Sequence, residues 1–564
     1  MKQRAFRLTA FLLLCWSVHA GVILAGQAHD VIAKNGVVVS VEANASDAGL
    51  EVLKRGGNAV DAAVATAFVL AVTHPAAGNI GGGGFMMVHL AKTGETRCVE
   101  YRETAPAAVT TEALARLNDT SRGHLSAGVP GTVRGLALAH EKFGSRTWRE
   151  LVEPAARLAA DGFAIDAHLA RSLNGWLSAA KDYDEAQRVF RKPDGSPWTE
   201  GDRLVQTDLA RTLRLIAEHG PDAFYTGPIA DQIVADMRAG DGLITKEDLA
   251  AYRANVRRPI HGTYRGHEVF APSPPSSGGI ALVEMLNILE TVDPSKHGRD
   301  AASTVHQFTE AMRRAYFDRA VHVGDPAFTD VPVDRLTSKA YARELAASIL
   351  ARDRATPSDE LGKNVLTAGE GENTTHFSIV DSAGNAVANT YTLQDSYGSY
   401  VVVRGAGFLL NNEMTDFNLQ PGVTDRRGRI GTPPNVVAPH KRMLSSQTPT
   451  IVLRDGKPLV VTGSPGGRTI PNTVLGVVTN VVDFKMSIRD AVDAPRMHHQ
   501  WMPDVLRVEP NRMSAETRQQ LEMIGHNINA AGRQGDAHSI WIDPVTGLRH
   551  GAADKRLSGK AAGY

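Results

Sequence analysis

The sequence Asn373-Thr374-Thr375-His376 stands where the character of the chain changes. The stretch before it, from about Arg352 to Asn373, is polar with weak periodicity, which is typical of a loop or linker. After it, residues 376–380 and 386–393 alternate around turn-forming residues 381–385, so a β-hairpin is predicted. Two threonines at the start of a strand are ordinary by themselves, because threonine favours strands and its hydroxyl often caps a turn. A chemical role for the pair therefore depends on the rest of the chain.

The segments around this hairpin predict a mixed fold. A second strand pair is expected at 451–453 and 459–462, and an apolar helix is expected from Ala59 to Val72 after a capping Asn58. Four consecutive glycines, residues 81–84, precede a buried strand. They fit a tight backbone approach better than a phosphate cradle, since neither the dinucleotide spacing nor a Walker lysine is present.

The composition excludes several classes of protein. Of the 564 residues, 43% are hydrophobic and 22% are charged, as in a globular chain rather than a disordered or multi-span membrane protein. Lysine plus arginine and aspartate plus glutamate each number 61. Because nucleic-acid binding normally needs a broad basic field, we expect no nucleic-acid partner. The two cysteines, Cys15 and Cys98, are too few for a disulfide framework or a cysteine-ligated zinc site.

The first 28 residues have the pattern of a secretory signal. Basic residues precede an apolar run over residues 8–16, and small residues that suit cleavage end at Ala20 and Ala28. A membrane anchor is the weaker alternative, because the run is well short of the roughly 20 residues that a spanning helix needs. We expect cleavage, no stable membrane insertion afterwards, and a periplasmic or secreted mature protein.

Common metal and nucleophile motifs are missing. Neither His-Glu-x-x-His nor Gly-x-Ser-x-Gly occurs in the sequence. The adjacent pair His498-His499 is the best metal candidate by residue type, but neighbours on a strand point to opposite faces. We therefore expect neither a metal nor a cofactor.

Further hydroxyl-, amide- and glycine-rich motifs follow the threonine pair at wide spacing: Thr390-Tyr391-Thr392, residues 411–417, Leu444-Ser445-Ser446 and residues 462–467. Together with Asn373-Thr374-Thr375-His376, these motifs resemble the gamma-glutamyltranspeptidase family. The resemblance covers most of the chain, because it extends to residues 101–106, 128–132, 274–279 and 562–564.

The resemblance implies an N-terminal-nucleophile hydrolase with an α/β (α+β) fold. The expected architecture is a four-layer αββα sandwich, one composite domain built by two subunits that arise when the chain cuts itself. The implied pieces are a signal peptide at 1–28, a large subunit at 29–373 and a small subunit at 374–564, which pair as a heterodimer.

The resemblance also implies catalytic roles. Thr374 would attack the carbonyl of Asn373 to cut the chain, and its newly freed α-amine would then serve as its own general base. Thr392 matches the family threonine that orients the nucleophile. Gly466 and Gly467 match the family's oxyanion hole, where the absence of a Cβ lets backbone N–H groups approach the tetrahedral oxygen.

A γ-glutamyl group carries an α-carboxylate and an α-ammonium at one end, so its pocket needs charges of both signs. By the resemblance, Arg102 pairs with the carboxylate while Ser445 and Ser446 donate to it. Glu413 and Asp416 face the ammonium. The implied reaction is transfer of the γ-glutamyl group from glutathione or related compounds to water, amino acids or peptides.

Two departures from the family pattern concern the pocket. Gln394 stands where the family commonly has asparagine, and its longer amide can still reach the amino end of the substrate. In the stretch 425–440, which resembles the family's lid, Arg427 stands where bacterial relatives carry tyrosine.

Two other functions remain open from the sequence. One is an acylase of the same fold that acts on glutaryl-type side chains of β-lactams, whose substrate lacks the α-ammonium. The other is a non-catalytic periplasmic binding protein that keeps the fold.

Overall fold

The computed structural model describes residues 29–119, 121–362, 373–426 and 430–564. The predicted signal at 1–28 and the lid position Arg427 lie outside the described residues. Within the described ranges, no helix combines the length and the apolar character that crossing a membrane requires.

Most strands belong to two large sheets. In chain order the strands are β1 Asp30–Ala33, β2 Val37–Ser40, β3 Gly83–Leu90, β4 Glu95–Glu100, β5 Phe163–Ala164, β6 Arg203–Leu204, β7 Asn255–Arg257, β8 Ile260–Tyr264, β9 His267–Ala271, β10 Asn373–Val380, β11 Ala386–Gln394, β12 Thr450–Arg454, β13 Lys457–Thr462, β14 Met497–His498, β15 Leu506–Val508, β16 Ile528–Ala530, β17 His538–Ile542, β18 Arg549–Ala553 and β19 Lys560–Gly563.

The helices cover the outer faces of these sheets. They are α1 Ala43–Lys54, α2 Ala59–Thr73, α3 Thr111–Ala115, α4 Thr132–Phe143, α5 Trp148–Asp161, α6 Ala167–Ala179, α7 Asp184–Phe190, α8 Thr207–His219, α9 Asp222–Tyr225, α10 Pro228–Ala239, α11 Lys246–Ala251, α12 Gly278–Val292, α13 Ala302–His322, α14 Val333–Leu336, α15 Lys339–Leu350, α16 Ser358–Leu361, α17 Ile470–Val482, α18 Ile488–Asp493 and α19 Ala515–Met523.

Sheet I has the strand order β19-β2-β10-β11-β3-β4-β7, and sheet II has the order β1-β18-β17-β13-β12-β9-β8. Every pairing within the two sheets is antiparallel. The predicted hairpin is confirmed as β10 and β11 at the centre of sheet I, and the second predicted strand pair is confirmed as β12 and β13 in sheet II.

Side chains alternate between the two faces of each sheet, and this alternation accounts for the layers of the fold. In β2, Val37 and Val39 pack between the sheets with Ile451 and Val461 of sheet II, whereas Val38 joins the helical layer over sheet I. Because successive side chains of a strand point to opposite faces, a wholly buried strand contacts a second sheet on one side and helices on the other. The expected four-layer αββα sandwich is thereby confirmed.

One helix follows its sequence signal closely. Helix α2 begins after Asn58, whose side-chain oxygen accepts from the N–H groups of Val60 and Asp61 in a capping box, and all its residues are buried. The predicted loop between Arg352 and Asn373 differs from the prediction within its described part, residues 352–362. It contains the short helix α16, held by a hydrogen bond from Trp501 Nε1 to the Ser358 carbonyl at 2.7 Å.

The four glycines at 81–84 are sites of close backbone packing, as expected. A Cβ built on Gly82 would lie 1.9 Å from the carbonyl oxygen of Thr392, and one on Gly84 would lie 2.4 Å from that of Thr390. Only glycine lets strand β3 approach β11 this closely. The glycine run therefore determines how closely β3 packs against β11, because no other residue allows these backbone contacts.

We expect Gly82→Ala to destabilise the protein by more than about 3 kcal/mol, since its methyl group meets backbone rather than a flexible side chain. The matched control is Gly175→Ala within α6, where a Cβ meets nothing within 4 Å and which should be neutral or slightly stabilising. Thermal unfolding of the two variants measures the difference. Equal midpoints would contradict the close-packing account.

Candidate active site

Thr374 lies at the head of the central hairpin with only 8% of its surface exposed. It is paired with Thr392 across β10 and β11, and its Oγ1 lies 3.5 Å from Thr392 Oγ1. The neighbouring Thr375 is also buried, but its hydroxyl has no hydrogen-bond partner among the described residues. Strand alternation separates the two threonines, and Thr374, which the family resemblance had singled out, lines a cavity that Thr375 does not line.

Thr392 is held firmly in place. The backbone N–H of Gln394 donates to Thr392 Oγ1 at 2.7 Å, and Asn79 Nδ2 donates to the Thr392 carbonyl at 2.9 Å. Asn79 Oδ1 in turn accepts from the N–H of Gly82 and from the hydroxyl of Thr132. Sequence reasoning missed Asn79, although its position just before the glycine run was a usable signal.

Gly466 and Gly467 lie where a loop enters α17. Gly466 has a φ of +128° and Gly467 a φ of +54°, and a Cβ on Gly466 would lie 2.3 Å from Thr469 Oγ1. Within the described part of the chain, the N–H groups of the two glycines donate to no partner. Gly466 lines the same cavity as Thr374, so an unpaired backbone donor and the threonine hydroxyl border one space. We call this space, of about 740 Å³, the Thr374 cavity.

A buried cluster of one guanidinium and three carboxyl groups, the Arg102 cluster, is joined to Thr392 through Gln394. The Arg102 guanidinium forms ion pairs with Glu413 at 2.7 Å and with Asp416, and Glu103 lies 3.5 Å away. Arg102 also donates to the carbonyl of Leu444 at 3.0 Å. The structure thus brings together Arg102, Glu413 and Asp416, which the sequence assigned to opposite charges of one substrate end.

Burial and charge oppose each other in this cluster. Burial raises the pKa of Glu413 well above its usual range, against the lowering effect of Arg102. Burial likewise raises the pKa of Glu103 to about 7. For Arg102, burial lowers the pKa, but Glu413, Glu103 and Asp416 outweigh it and keep the guanidinium charged. Glu413 Oε2 contacts the Arg102 guanidinium at 2.7 Å, whereas Oε1 accepts no hydrogen bond from the described residues and retains acceptor capacity.

Gln394 connects the threonine pair to the Arg102 cluster. Its Nε2 donates to Asp416 Oδ1 at 3.1 Å, while its backbone N–H donates to Thr392. Its φ of +81° is uncommon for a residue with a side chain. The amide predicted to reach the amino end of a substrate therefore lies against the carboxylate predicted to bind that same end.

Ser445 and Ser446 lie on a segment anchored by the 274–279 motif. The carbonyl of Ser445 accepts from the N–H and hydroxyl of Ser277, at 2.8 and 2.7 Å. The hydroxyl of Ser446 accepts from Arg319 at 3.2 Å. Both serines directly follow Leu444, whose carbonyl binds Arg102, so they lie at the edge of the Arg102 cluster.

Two buried arginines near this edge were missed by sequence reasoning. Burial, followed by the charge of Arg468, lowers the pKa of Arg319 to about 9. Burial lowers the pKa of Arg468 to about 10, while Asp416 acts to raise it. Arg468 follows Gly467 directly, which was a usable signal. Arg319 lies on α13, far away in sequence, and had none.

The predicted lid segment 425–440 is described only in part. Asn435 Nδ2 donates to the Asp416 carbonyl at 2.6 Å, and Asn435 Oδ1 accepts from the N–H of Leu444 at 2.9 Å. Asn435 therefore joins the lid segment to both sides of the charged cluster.

The histidines have partners of their own. His498 and His499 bind different neighbours, Asn472 and Asp504 respectively, and burial lowers their pKa values to about 3 and about 4. Among the described residues, His306, Glu310 and His526 come close enough together to bind an ion. Glu310 is already paired with two arginines of α13, whose charge opposes a metal cation.

This fold and site define an N-terminal-nucleophile hydrolase. A family model described as gamma-glutamyltranspeptidase matches residues 45–564. The chain is 46% identical to a glutathione hydrolase proenzyme of Escherichia coli, over 95% of this chain and 93% of that protein. It is 36% identical to the acylase ACY 1 proenzyme of a Pseudomonas species, over 93% and 92% of the two chains.

The solved structures agree with this assignment. A cephalosporin acylase from Bacillus halodurans superposes with a TM-score of 0.83 at 30% identity, covering 96% of this chain and 97% of the other. The chain belongs to the gamma-glutamyltranspeptidase family, and it is an enzyme of that family.

The raised pKa of Glu103 predicts a pH dependence of stability. Its carboxyl group stays protonated in the folded protein up to about pH 7, whereas the unfolded chain releases the proton near its ordinary pKa of 4.5. Stability is therefore lost as the pH rises from 4.5 to 7. We expect the thermal midpoint of Glu103→Gln to gain about 2 °C on wild type across this window.

The control for this experiment is Glu218→Gln, an exposed position on α8, whose midpoint should follow wild type at every pH. Parallel midpoint curves for Glu103→Gln and wild type would show that the carboxyl group of Glu103 titrates normally.

Proposed function

We propose that the protein is a γ-glutamyltranspeptidase. It is made as one chain, cuts itself before Thr374, and transfers γ-glutamyl groups from glutathione and related compounds to water, amino acids or peptides. The observation that carries the proposal is the position of Thr374 in a chain of this family. Its hydroxyl lies 3.5 Å from that of Thr392, and Thr374 shares a cavity with Gly466, whose backbone N–H has no partner among the described residues.

Self-cleavage would use the hydroxyl before an amine is available. Thr374 Oγ1 attacks the carbonyl carbon of Asn373, the C–N bond breaks, and the departing nitrogen takes the hydroxyl proton. Water then hydrolyses the resulting ester, leaving a carboxylate on Asn373 and a free α-amine on Thr374. The buried hairpin supports this step because it holds the hydroxyl and the peptide bond in one fixed geometry.

Turnover would use the new amine as base. An α-amine has a reference pKa of roughly 7.7 to 8.0, so a substantial fraction is neutral near pH 7 to 8. The amine takes the Thr374 proton as Oγ1 attacks the γ-carbonyl, and the N–H groups of Gly466 and Gly467 stabilise the oxyanion. The leaving amine takes the proton, and water or an acceptor amine then releases the acyl group. Thr392 orients the hydroxyl throughout.

The Arg102 cluster would bind the charged end of the γ-glutamyl group. The substrate carboxylate joins Arg102 and the hydroxyls of Ser445 and Ser446. Glu413 and Asp416 accept from the substrate ammonium. The free acceptor capacity of Glu413 supports this role, and Gln394 holds Asp416 in position. The substrate carboxylate and ammonium would replace contacts that Arg102, Glu413 and Asp416 make with one another. No charged group of the cluster would then be buried without a partner.

The two pieces would remain together after the cut. Residues 29–373 supply β2, β3, β4 and β7 to sheet I, while residues 374–564 supply β10, β11 and β19. Because strands of both pieces alternate in one sheet, separation would break every hydrogen bond between β10 and β2 and between β11 and β3. A stable heterodimer follows. The proposed location is the periplasm or the exterior, by the signal pattern in residues 1–28.

The main alternative is a β-lactam acylase of the same fold, since one similar structure is named a cephalosporin acylase and one relative is named an acylase. A glutaryl group lacks the α-ammonium, so it would leave Glu413 and Asp416 without their partner. The presence of both carboxylates favours the γ-glutamyl substrate. A non-catalytic binding protein would need no fixed hydroxyl pair beside free backbone donors.

Self-cleavage is tested on a denaturing gel. Thr374→Ala should remain a single full-length chain without activity, because it has no hydroxyl to attack the peptide bond. Thr375→Val is the matched control, since the Thr375 hydroxyl has no partner among the described residues, and this variant should be cut like wild type. A full-length wild-type band identical to that of Thr374→Ala would refute the processing step.

Substrate class is tested with a pair of anilides. We expect γ-glutamyl-4-nitroanilide to be turned over at least about 10³-fold better than glutaryl-4-nitroanilide, because the latter leaves buried carboxylates unpaired. The preference should fall in Asp416→Asn. Similar kcat/KM values for both anilides in wild type would instead support the acylase.

A further inference from the structure

Arg319 on α13 is a buried arginine that the proposed chemistry does not use. Only 2% of its surface is exposed. Its guanidinium donates from Nε to the hydroxyl oxygen of Ser277 at 2.9 Å, and from Nη2 to the hydroxyl oxygen of Ser446 at 3.2 Å. One guanidinium therefore holds two serine hydroxyls at the edge of the Arg102 cluster.

The hydrogen bonds at Ser277 run in one direction, from Arg319 toward Ser445. A guanidinium can only donate, so the oxygen of Ser277 accepts from Arg319, and the Ser277 hydroxyl donates its proton to the carbonyl oxygen of Ser445 at 2.7 Å. The backbone N–H of Ser277 donates to the same carbonyl at 2.8 Å. This chain holds the backbone of Ser445 in place, and each hydrogen bond in it polarises the next.

The contact with Arg319 also orients the hydroxyl group of Ser446. The Ser446 oxygen accepts from Arg319, so the hydroxyl proton points away from the guanidinium. An O–H group that donates is what a carboxylate ligand needs. Burial lowers the pKa of Arg319 to about 9, which still leaves the guanidinium protonated near pH 7. The donor is therefore present under the conditions of turnover.

Residues 443–446 lie between two buried arginines. Arg102 donates to the carbonyl oxygens of Met443 and Leu444, at 3.3 and 3.0 Å. Arg319 holds Ser446 directly and Ser445 through Ser277. Arg102 is the proposed partner of the substrate carboxylate, whereas the effect of Arg319 on the substrate passes through the two serines.

We infer that Arg319 is a positioning residue, which holds Ser445 and Ser446 so that their hydroxyl groups bind the α-carboxylate of the γ-glutamyl group. The inference rests on the proposed γ-glutamyl transfer. Arg319 does not touch the reacting atoms, so its loss weakens recognition of the α-carboxylate and leaves the chemistry at Thr374 unchanged.

Two donors that differ in one group test this inference. γ-Glutamyl-4-nitroanilide carries the α-carboxylate, whereas 4-aminobutanoyl-4-nitroanilide keeps the ammonium and lacks that carboxylate. In Arg319→Met, whose side chain is long but has no donor, we expect the ratio of their kcat/KM values to fall about tenfold. The fall should appear in the KM of the γ-glutamyl donor, while its kcat stays within about twofold of wild type.

Removal of the two serine hydroxyls shows whether Arg319 acts through them. In a protein that already carries Ser445→Ala and Ser446→Ala, the further change Arg319→Met should alter the ratio by less than about twofold, because the groups that Arg319 positions are gone. The same tenfold fall in this background would show that Arg319 acts independently of the serines, and would overturn the inference.

Arg314→Met is the matched control, since Arg314 is a buried arginine of the same helix that contacts Glu310, Ser348 and Thr356 instead. It should lower the thermal midpoint and keep the wild-type ratio of the two donors. An equal fall of the ratio in Arg314→Met and Arg319→Met would show a general loss of packing, and would contradict a positioning role.

Should Arg319→Met fail to fold, Ser277→Ala carries the same test, because it breaks the chain from Arg319 to Ser445 without removing a charge. The ratio should then fall about threefold. A wild-type ratio in the processed, folded variant would overturn the inference while leaving γ-glutamyl transfer intact. Processed wild type that turns over neither anilide would instead overturn the proposed function, and the inference with it.

Discussion

The antiparallel pairing of β10 with β11 is the constraint on which the rest of the site depends. It sets Thr374 opposite Thr392 in a sheet where both side chains are buried. The glycines at the start of β3 let this strand pack directly against the backbone carbonyls of β11. Sheet register, rather than a flexible loop, therefore determines which hydroxyl meets the cavity. A shift of one residue would present Thr375 instead, because side chains alternate between faces.

The same hairpin carries the connection to the charged pocket. Gln394, at the end of β11, binds Thr392 through its backbone and Asp416 through its side chain. Asp416 and Glu413 share the Arg102 guanidinium, so this buried charge is compensated by carboxyl groups within the cluster. Such a cluster gives little net stability, since desolvation cancels much of the attraction. Under the proposed function, its value would lie in offering both signs of charge to a zwitterionic ligand.

The sequence alone was sufficient for the elements with strong local signals. The hairpin followed from alternation around residues 381–385, helix α2 from Asn58 and a buried apolar run, and the close glycine packing from four consecutive glycines. The four-layer fold followed from the family resemblance. Contacts between distant segments had no local signal. The direct pairing of Arg102 with Glu413 and Asp416, the support from Asn79, and the position of Arg319 depend on tertiary packing, which periodicity does not encode.

The central claim is that Thr374 is freed by self-cleavage and then carries the acyl group. It is tested most directly by the mass of the small subunit. This mass is measured before and after a brief incubation with a γ-glutamyl donor, under conditions that slow hydrolysis of the acyl-enzyme. The account predicts a piece that begins at Thr374 and gains the mass of one γ-glutamyl group, with fragmentation placing the group on that residue. A piece that begins elsewhere, or an acyl group on any other side chain, would contradict it.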